Sequence, residues 1–314
     1  MTIQSRLEQW RAQGVISPEQ HQHLDGLTRG EPFSLFVELN VLLYAGVVAF
    51  IAGLGWTVST WSAHMGDVFV LAALSALVIA CLWYCFTRAT PWSPAQTSPS
   101  SPIFDYVLYL GSLTWSVELG YLETRFHLLS GQGDLFLLAT AGVFFFLAYR
   151  FDNRFVLSLA LSAFAGWFGL TISHWPSHQD ETYRQYALLY SLVVGIGAIL
   201  LERRGLKPHF FNTYLNIAAN VLFWALLSGV FQREDYALWL LALLVACGLS
   251  LAWGLMRRQF VFVAYAAVYG YIGVSSVLLR NMNDESAILT YFVVTGAAML
   301  AILVVIARRF GKQA

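Results

Sequence analysis

Residues 235–256 decide the fold class, because they read DYALWLLALLVACGLSLAWGLM and carry no charge after Asp235. Arg257 and Arg258 follow at once. A helix rises about 1.5 Å per residue, so roughly 20 apolar residues cross the ~30 Å hydrocarbon core of a bilayer. This stretch therefore predicts a transmembrane helix that ends at a basic boundary.

Similar apolar runs lie on both sides of this stretch, separated by short charged connections. The predicted transmembrane segments are 39–62, 67–87, 103–122, 134–149, 154–173, 185–201, 210–231, 235–256, 259–279 and 286–307. The least typical are 103–122, which contains Asp105 and Glu118, and 134–149, which is short. The sequence thus predicts an all-α polytopic transmembrane bundle of about ten helices.

The composition agrees with a membrane location. Of the 314 residues, 58% are hydrophobic and only 11% are charged, whereas soluble domains carry roughly a quarter charged residues. So few charges could not cover a surface in water, but a surface in lipid needs no such cover. The net charge of zero argues against nucleic acid as a partner.

The distribution of Lys and Arg predicts the orientation. With ten helices and a cytoplasmic N-terminus, only four of the 18 basic residues fall in outer connections. These four are Arg125, Arg184, Arg233 and Arg280. Because cytoplasmic connections are enriched in Lys and Arg, both termini are predicted to face the cytoplasm.

The segments outside the apolar runs are short, with two exceptions. Residues 1–38 predict a cytoplasmic helical hairpin, since Gly14 ends a first amphipathic helix and Ser17-Pro18 is typical of a new helix start. This hairpin is a candidate docking site for a partner protein. Residues 88–102, with Pro91, Pro94 and Pro102, predict a flexible loop and not a second domain.

Ten helices could form two five-helix halves of opposite orientation, as in many transporters. The first half contains LLYAGVV at 42–48, and the second contains LLYSLVV at 188–194. Apolar helices also share residues by chance, so both explanations stay open.

Glu118 is the first candidate functional residue. A carboxylate in lipid costs at least about 2.5 kcal/mol, so Glu118 should face the protein interior or a water-filled cavity. It is a candidate for coupling transport to protons or cations. The alternative is that Glu118 lies near the outer headgroups and pairs with Arg125.

A second candidate site is a row of asparagines on one helix. Asn212, Asn216 and Asn220 recur every four residues on one face of segment 210–231. They either line a substrate path or hold the helices together by hydrogen bonds. Tyr265 and Tyr269 share a face of segment 259–279 and are candidates to add hydroxyls to a cavity.

Other site types have little support. His174 and His178 are four residues apart, a spacing that can bind a metal on a helix, but Pro176 lies between them. The sequence contains no P-loop, dinucleotide fingerprint, zinc-protease motif or nucleophile elbow. No catalytic residue and no cofactor is predicted, and an enzyme is disfavoured without being excluded.

Two stretches resemble a bacterial family of predicted membrane proteins catalogued as domain of unknown function 2157. The first is LEQW at 7–10 followed by GVISPEQ at 14–20, and the second is YAG at 44–46 followed by GLGW at 53–56 and by Trp61. The resemblance covers roughly residues 5–150. The family often has an Asn-Trp pair where this chain has Thr60-Trp61. The resemblance implies a multi-pass protein of the bacterial inner membrane and supplies no functional residues.

Three functions remain compatible with the sequence. The first is transport or translocation of a small molecule, ion or lipid through a polar cavity. The second is a membrane scaffold that binds a partner through residues 1–38. The third is a membrane enzyme that acts on a lipid. A transporter requires a polar path open to one side, whereas an enzyme requires titratable groups within hydrogen-bond reach of one another.

Overall fold

Each of the ten predicted segments contains a helix in the structure. The structure is a computed structural model that describes residues 9–15, 17, 45–57, 66–97, 102–127, 133–173, 180–232, 235–281 and 284–311. The helices are α1 (Ala45–Thr57), α2 (Asp67–Arg88), α3 (Pro102–Phe126), α4 (Gly133–Phe151), α5 (Arg154–Ser173), α6 (Asp180–Arg203), α7 (Phe211–Phe231), α8 (Tyr236–Met256), α9 (Phe260–Leu278) and α10 (Glu285–Gly311). No strand occurs among these residues, and the predicted all-α fold is confirmed.

Among the described residues, six helices are long and apolar enough to cross a membrane. They are α2, α6, α7, α8, α9 and α10. Shorter apolar helices cover Ala45–Thr57, Leu135–Phe151 and Arg154–Gly169. The 25-residue helix α3 carries four charged residues and belongs to neither group. The structure therefore supports a multi-pass membrane protein, and the number ten remains a prediction for the spans.

Large apolar side chains face outward on these helices. Leu238, Leu241 and Leu249 of α8 are 67%, 62% and 69% exposed. Leu289 and Val293 of α10 are similarly exposed. Soluble monomers rarely expose large continuous apolar surfaces, so these faces fit contact with lipid tails.

The chain divides into two compact units, Met1–Val70 and Leu71–Ala314. In the first unit, a short helical turn ends at Gly14, whose φ of 68° lies in the left-handed region. The amide of Val15 bonds the carbonyl of Trp10 at 2.9 Å, which is the glycine-dependent C-cap known as the Schellman motif. This agrees with the predicted end of the first helix, while most of the predicted hairpin lies outside the described residues.

The second unit has its core among α7, α8 and α9. The buried members of this core are Phe223, Leu226, Leu227, Val230, Leu243, Cys247 and Tyr269. The rings of Phe223 and Tyr269 are stacked with centroids 4.8 Å apart. Helix α10 joins the outside of this core through α9, because Tyr271 bonds Thr295 and Ser275 bonds Tyr291.

The connection between α4 and α5 is a tight turn of two residues. Asp152 has a left-handed φ of 58°, and the amide of Asn153 bonds the carbonyl of Ala148 at 3.1 Å. The side-chain oxygen of Asn153 then accepts the amide of Val156 at 3.0 Å and caps the start of α5. This turn brings Asp152 to the end of the helix pair.

The predicted topology can be tested with reporter fusions. We expect a fusion at residue 205 to be active in the cytoplasm and a fusion at residue 179 to be active in the periplasm, because basic residues cluster on the cytoplasmic side. Enzyme reporters specific for each compartment would measure this. The opposite activity at either site would contradict the ten-helix topology.

Candidate functional site

Glu118 lies in the contact between α3 and α2. Its side chain is only 9% exposed, and the hydroxyl of Ser75 donates a hydrogen bond to it. Two turns away, a Cβ added to Gly111 would lie 2.8 Å from the Cβ of Cys81, so the two helices approach closely. Glu118 therefore faces protein and not lipid.

Polar atoms without partners surround this part of α3. The Oγ1 of Thr114 and the Nε1 of Trp115 are buried and have no hydrogen-bond partner in the described part of the chain. Thr114 and Trp115 precede Glu118 by four and three residues, so all three share one helical face. Unpaired buried polar atoms are uncommon in folded proteins, so this face of α3 is a polar site inside the protein.

Asn220 joins α7 to α9. Its amide nitrogen donates to the hydroxyl of Tyr265 at 2.6 Å, and its amide oxygen accepts from the hydroxyl of Tyr269 at 3.0 Å. The structure thus brings three of the predicted site residues together. Their polar groups bond to one another, which is the arrangement expected of interhelical hydrogen bonding.

The other two asparagines have different surroundings. Asn212 is exposed and accepts a hydrogen bond from the amide of Gln259 at 2.9 Å. The Oδ1 of Asn216 is buried, and no group in the described ranges donates to it. Glu118 bonds to α2, whereas Asn220 bonds to α9, so the predicted residues form two separate polar contacts.

Replacing Asn220 with leucine should destabilise the protein by about 0.6–2 kcal/mol, the range for hydrogen bonds between membrane helices. The expected loss arises because Tyr265 and Tyr269 both lose their partner. Chemical unfolding in detergent would measure the change, and Asn212→Leu provides the exposed control on the same helix. Equal stability of Asn220→Leu and wild type would contradict the packing role.

The predicted metal candidates His174 and His178 lie outside the described residues. Within the described ranges, no group of three or more His, Cys, Asp or Glu side chains could hold a metal ion.

A cluster of charged side chains, not anticipated from the sequence, joins three connections. We call Thr97, Asp152, Lys207 and His209 the loop latch. The ammonium of Lys207 lies 3.0 Å from the carboxylate of Asp152, and each of these side chains is 1% exposed. Asp152 also contacts the Nε2 of His209, and it accepts the backbone amide and the hydroxyl of Thr97 at 2.5 and 3.0 Å.

The loop latch fixes the proline-rich connection after α2. The backbone amide of Lys207 donates to the carbonyl of Pro94 at 3.0 Å, and its ammonium donates to the carbonyl of Ala95 at 3.2 Å. Arg150 donates to the carbonyl of Thr90 at 3.1 Å. Residues 90–97 of the connection interpreted as a flexible loop are therefore held against the helix ends by five hydrogen bonds, which involve Arg150, Asp152 and Lys207.

The hydrogen bonds to Asp152 determine its protonation. Burial alone would raise the pKa of the Asp152 carboxyl, but hydrogen bonds from Thr97, Lys207 and His209 outweigh burial and hold this pKa below its usual value. Asp152 is therefore ionised at neutral pH, and its charge offsets that of Lys207.

An open cleft lies between the N-terminal end of α6 and the C-terminal end of α7. Its volume is about 560 Å³, and its lining residues are Tyr183, Arg184, Ala187, Trp224, Ala225, Ser228, Phe231 and Gln232. Clefts that bind small molecules in proteins have volumes of roughly 300–1,000 Å³. Trp224 and Phe231 are 63% and 53% exposed, so the cleft opens beside an apolar surface.

Arg184 is the charged residue of the cleft. Its side chain is 4% exposed, and its guanidinium lies 4.6 Å from the centre of the Trp239 ring. The ring of Trp239 lies against Gly229, where an added Cβ would be 2.5 Å from two ring atoms. Gly229 thus makes room for Trp239, and Trp239 in turn supports Arg184.

The sequence pattern did not reveal either of these sites. In the sequence, Lys207 and Arg184 stand out only as basic residues of an inner and an outer connection. The predicted segment 185–201 leaves Arg184 just outside the helix, but α6 begins at Asp180, so Arg184 lies in its second turn. An arginine inside the end of an apolar helix is a signal that could have identified it.

Comparison with known proteins gives one match. The model of the family described as "Predicted membrane protein (DUF2157)" matches residues 8–157. No curated protein and no solved structure matches the chain. The matched region includes Glu118 and Asp152, whereas Lys207, Arg184 and Asn220 lie beyond it. The resemblance is thereby confirmed: residues 8–157 match the model of this family of predicted membrane proteins, whose function is unknown.

Proposed function

We propose that this protein binds a small amphiphilic molecule in the cleft between α6 and α7 and moves it across the membrane. The observation that carries this proposal is the composition of the cleft. Arg184, Ser228 and Gln232 supply polar groups, while Trp224 and Phe231 supply apolar surface at the opening. A molecule with a polar head and an apolar tail matches both parts.

The location of the cleft agrees with this function. Basic-residue counts predict that the N-terminal end of α6 faces the outside of the cell, so the cleft would open to the outer leaflet. The tail of a bound amphiphile could remain in lipid, next to Trp224 and Phe231. Only the polar head would then need to leave water, which lowers the free-energy cost of moving the molecule across the membrane.

Buried polar groups of α3 offer a second supporting feature. Glu118 and the unpartnered atoms of Thr114 and Trp115 lie inside the protein. Ionisable residues within membrane helices commonly mark a substrate or ion path. In this proposal the carboxyl group of Glu118 interacts with the polar head of the molecule as it crosses the membrane. The protein is proposed to lie in the bacterial inner membrane with both termini in the cytoplasm.

The loop latch bears on the enzyme alternative, because it gathers an acid, a lysine and a histidine within contact distance. Asp152 and Lys207 are almost completely buried and are bonded to each other and to residues 94–97. Because contacts within the protein occupy both of these side chains, their main effect is to stabilise the fold. We therefore favour transport over catalysis.

A translocation assay tests the proposal. Purified protein is reconstituted in vesicles that contain a phospholipid with a fluorescent label on its acyl chain, and a membrane-impermeant reductant is added outside. We expect the reductant to quench inner-leaflet label that stays protected in protein-free vesicles. A Ser228→Trp variant, which fills the cleft from its exposed side, should slow this quenching. Equal protection in vesicles with wild-type protein and without protein would contradict the proposal for phospholipid cargo.

A further inference from the structure

We infer that the cleft between α6 and α7 is a binding site for a phosphate group, held by Arg184. The inference rests on the proposed function, and it specifies the chemistry of the polar head. The juxtaposition that carries it is a buried arginine whose Nε has no hydrogen-bond acceptor in the described part of the chain, placed in the wall of an open cleft of ligand size.

Among the described residues, the charge of Arg184 has no carboxylate partner. Its Nε is buried without a hydrogen bond, and in the described part of the chain no carboxylate or carbonyl accepts from its guanidinium. Glu181, one turn earlier, is exposed. The ring of Trp239 provides a cation–π contact, but this satisfies none of the N–H donors.

Arg280 is an arginine of the same protein whose guanidinium has hydrogen-bond acceptors. Its guanidinium donates to the carbonyls of Val230 and Gln232 and lies 4.5 Å from the centre of the Tyr236 ring. Arg280 thereby caps the C-terminal end of α7. Arg184 has the same kind of aromatic support without the acceptors, so its donors remain available to a ligand.

An anionic ligand would supply the missing acceptors. A buried charge without a partner is strongly unfavourable, and a guanidinium binds phosphate through two parallel hydrogen bonds. Gln232 and Ser228 add further polar atoms to the lining. At the surface of a bilayer the abundant phosphate is that of the lipid headgroup, and free inorganic phosphate has the same chemistry.

Native mass spectrometry of the full chain in detergent tests the site. The probes are phosphatidylglycerol and a diacylglycerol with the same acyl chains, and inorganic phosphate is added as a competitor. We expect phosphatidylglycerol to bind and diacylglycerol to bind much more weakly. In Arg184→Met, binding of phosphatidylglycerol should weaken by about tenfold or more, as expected for the loss of hydrogen bonds to a charged group.

Two further variants make the result specific. Arg204→Gln removes an exposed positive charge at the other end of α6 and should leave binding unchanged. Arg184→Lys keeps the charge without the geometry for two parallel hydrogen bonds and should give intermediate binding. It also provides a second test of the site in case Arg184→Met does not fold. Displacement of the lipid by inorganic phosphate would support the site and assign it to a free anion, whereas no displacement would assign it to the lipid.

Other outcomes would overturn the inference. Equal binding of diacylglycerol and phosphatidylglycerol, or unchanged binding in both Arg184 variants, would show that no phosphate is held there. If Ser228→Trp still reduced lipid movement in vesicles, only the phosphate assignment would fail. If Ser228→Trp had no effect on movement, the proposed function of the cleft would fail as well.

Discussion

Replacing Lys207 with methionine should lower the free energy of unfolding by about 3–5 kcal/mol, the range for breaking a buried ion pair from one side. The substitution leaves the carboxylate of Asp152, which is 1% exposed, without its ammonium partner. It also removes the hydrogen bond from the ammonium to the carbonyl of Ala95. Chemical unfolding in detergent would measure the loss.

Two comparisons separate the ion pair from a general effect of charge. Arg204→Gln removes an exposed basic residue from the same connection and should change stability by no more than about 0.5 kcal/mol. The double variant Asp152→Asn with Lys207→Met removes both charges and should be more stable than Lys207→Met alone. Stability of Lys207→Met within about 1 kcal/mol of wild type would contradict the role of the loop latch, given the range cited above.

The same contact makes stability depend on pH in a defined direction. The pKa of Asp152 is lower in the folded protein than its ordinary value, so the folded state binds this proton less readily than the unfolded state. The stabilisation is complete above the ordinary pKa of aspartate and is lost as the pH falls through the folded-state pKa. The stability difference between wild type and Asp152→Asn should therefore shrink only below about pH 4.

Replacing Gly229 with alanine should destabilise the protein by about 1–3 kcal/mol, the usual cost of overpacking a core. The new Cβ would lie 2.5 Å from two atoms of the Trp239 ring, and a rigid indole cannot yield without moving as a whole. Because Arg184 rests on this ring, binding of phosphatidylglycerol should also weaken. Unfolding in detergent and native mass spectrometry would measure the two effects.

Gly248 offers a matched control on the next helix. A Cβ added there would meet no atom within 4 Å, so Gly248→Ala should be neutral or stabilising by up to about 1 kcal/mol, the difference in helix propensity. If Gly229→Ala behaved like Gly248→Ala, the contact among Gly229, Trp239 and Arg184 would not support the cleft.

The helices could be predicted from sequence because a bilayer imposes a simple rule on length and polarity. Every predicted segment, including 103–122 with its two acids, coincides with a helix. The end of the first helix at Gly14 could also be predicted, since the left-handed conformation there favours glycine. The row of asparagines in α7 and the shared face of Tyr265 and Tyr269 could be recognised from their spacing. The contact of Asn220 with both tyrosines could not, because it depends on how α7 packs against α9.

The loop latch and the cleft could not be predicted in the same way. Asp152 and Lys207 lie 55 positions apart in sequence, and both have left-handed φ values, 58° and 50°, that residues other than glycine adopt only when the surrounding structure requires them. The role inferred for Arg184 depends on its contact with Trp239, which lies on another helix. No periodic pattern encodes such contacts, because they depend on how the helices pack against one another.

The central claim is that the cleft between α6 and α7 holds the phosphate of an amphiphilic ligand. The most direct measurement is a high-resolution density map of the protein in nanodiscs that contain phosphatidylglycerol. The account predicts density for a headgroup within hydrogen-bond distance of the Arg184 guanidinium, with an acyl chain running past Trp224 and Phe231. A map in which a protein carboxylate or carbonyl satisfies Arg184, and in which no lipid enters the cleft, would contradict it.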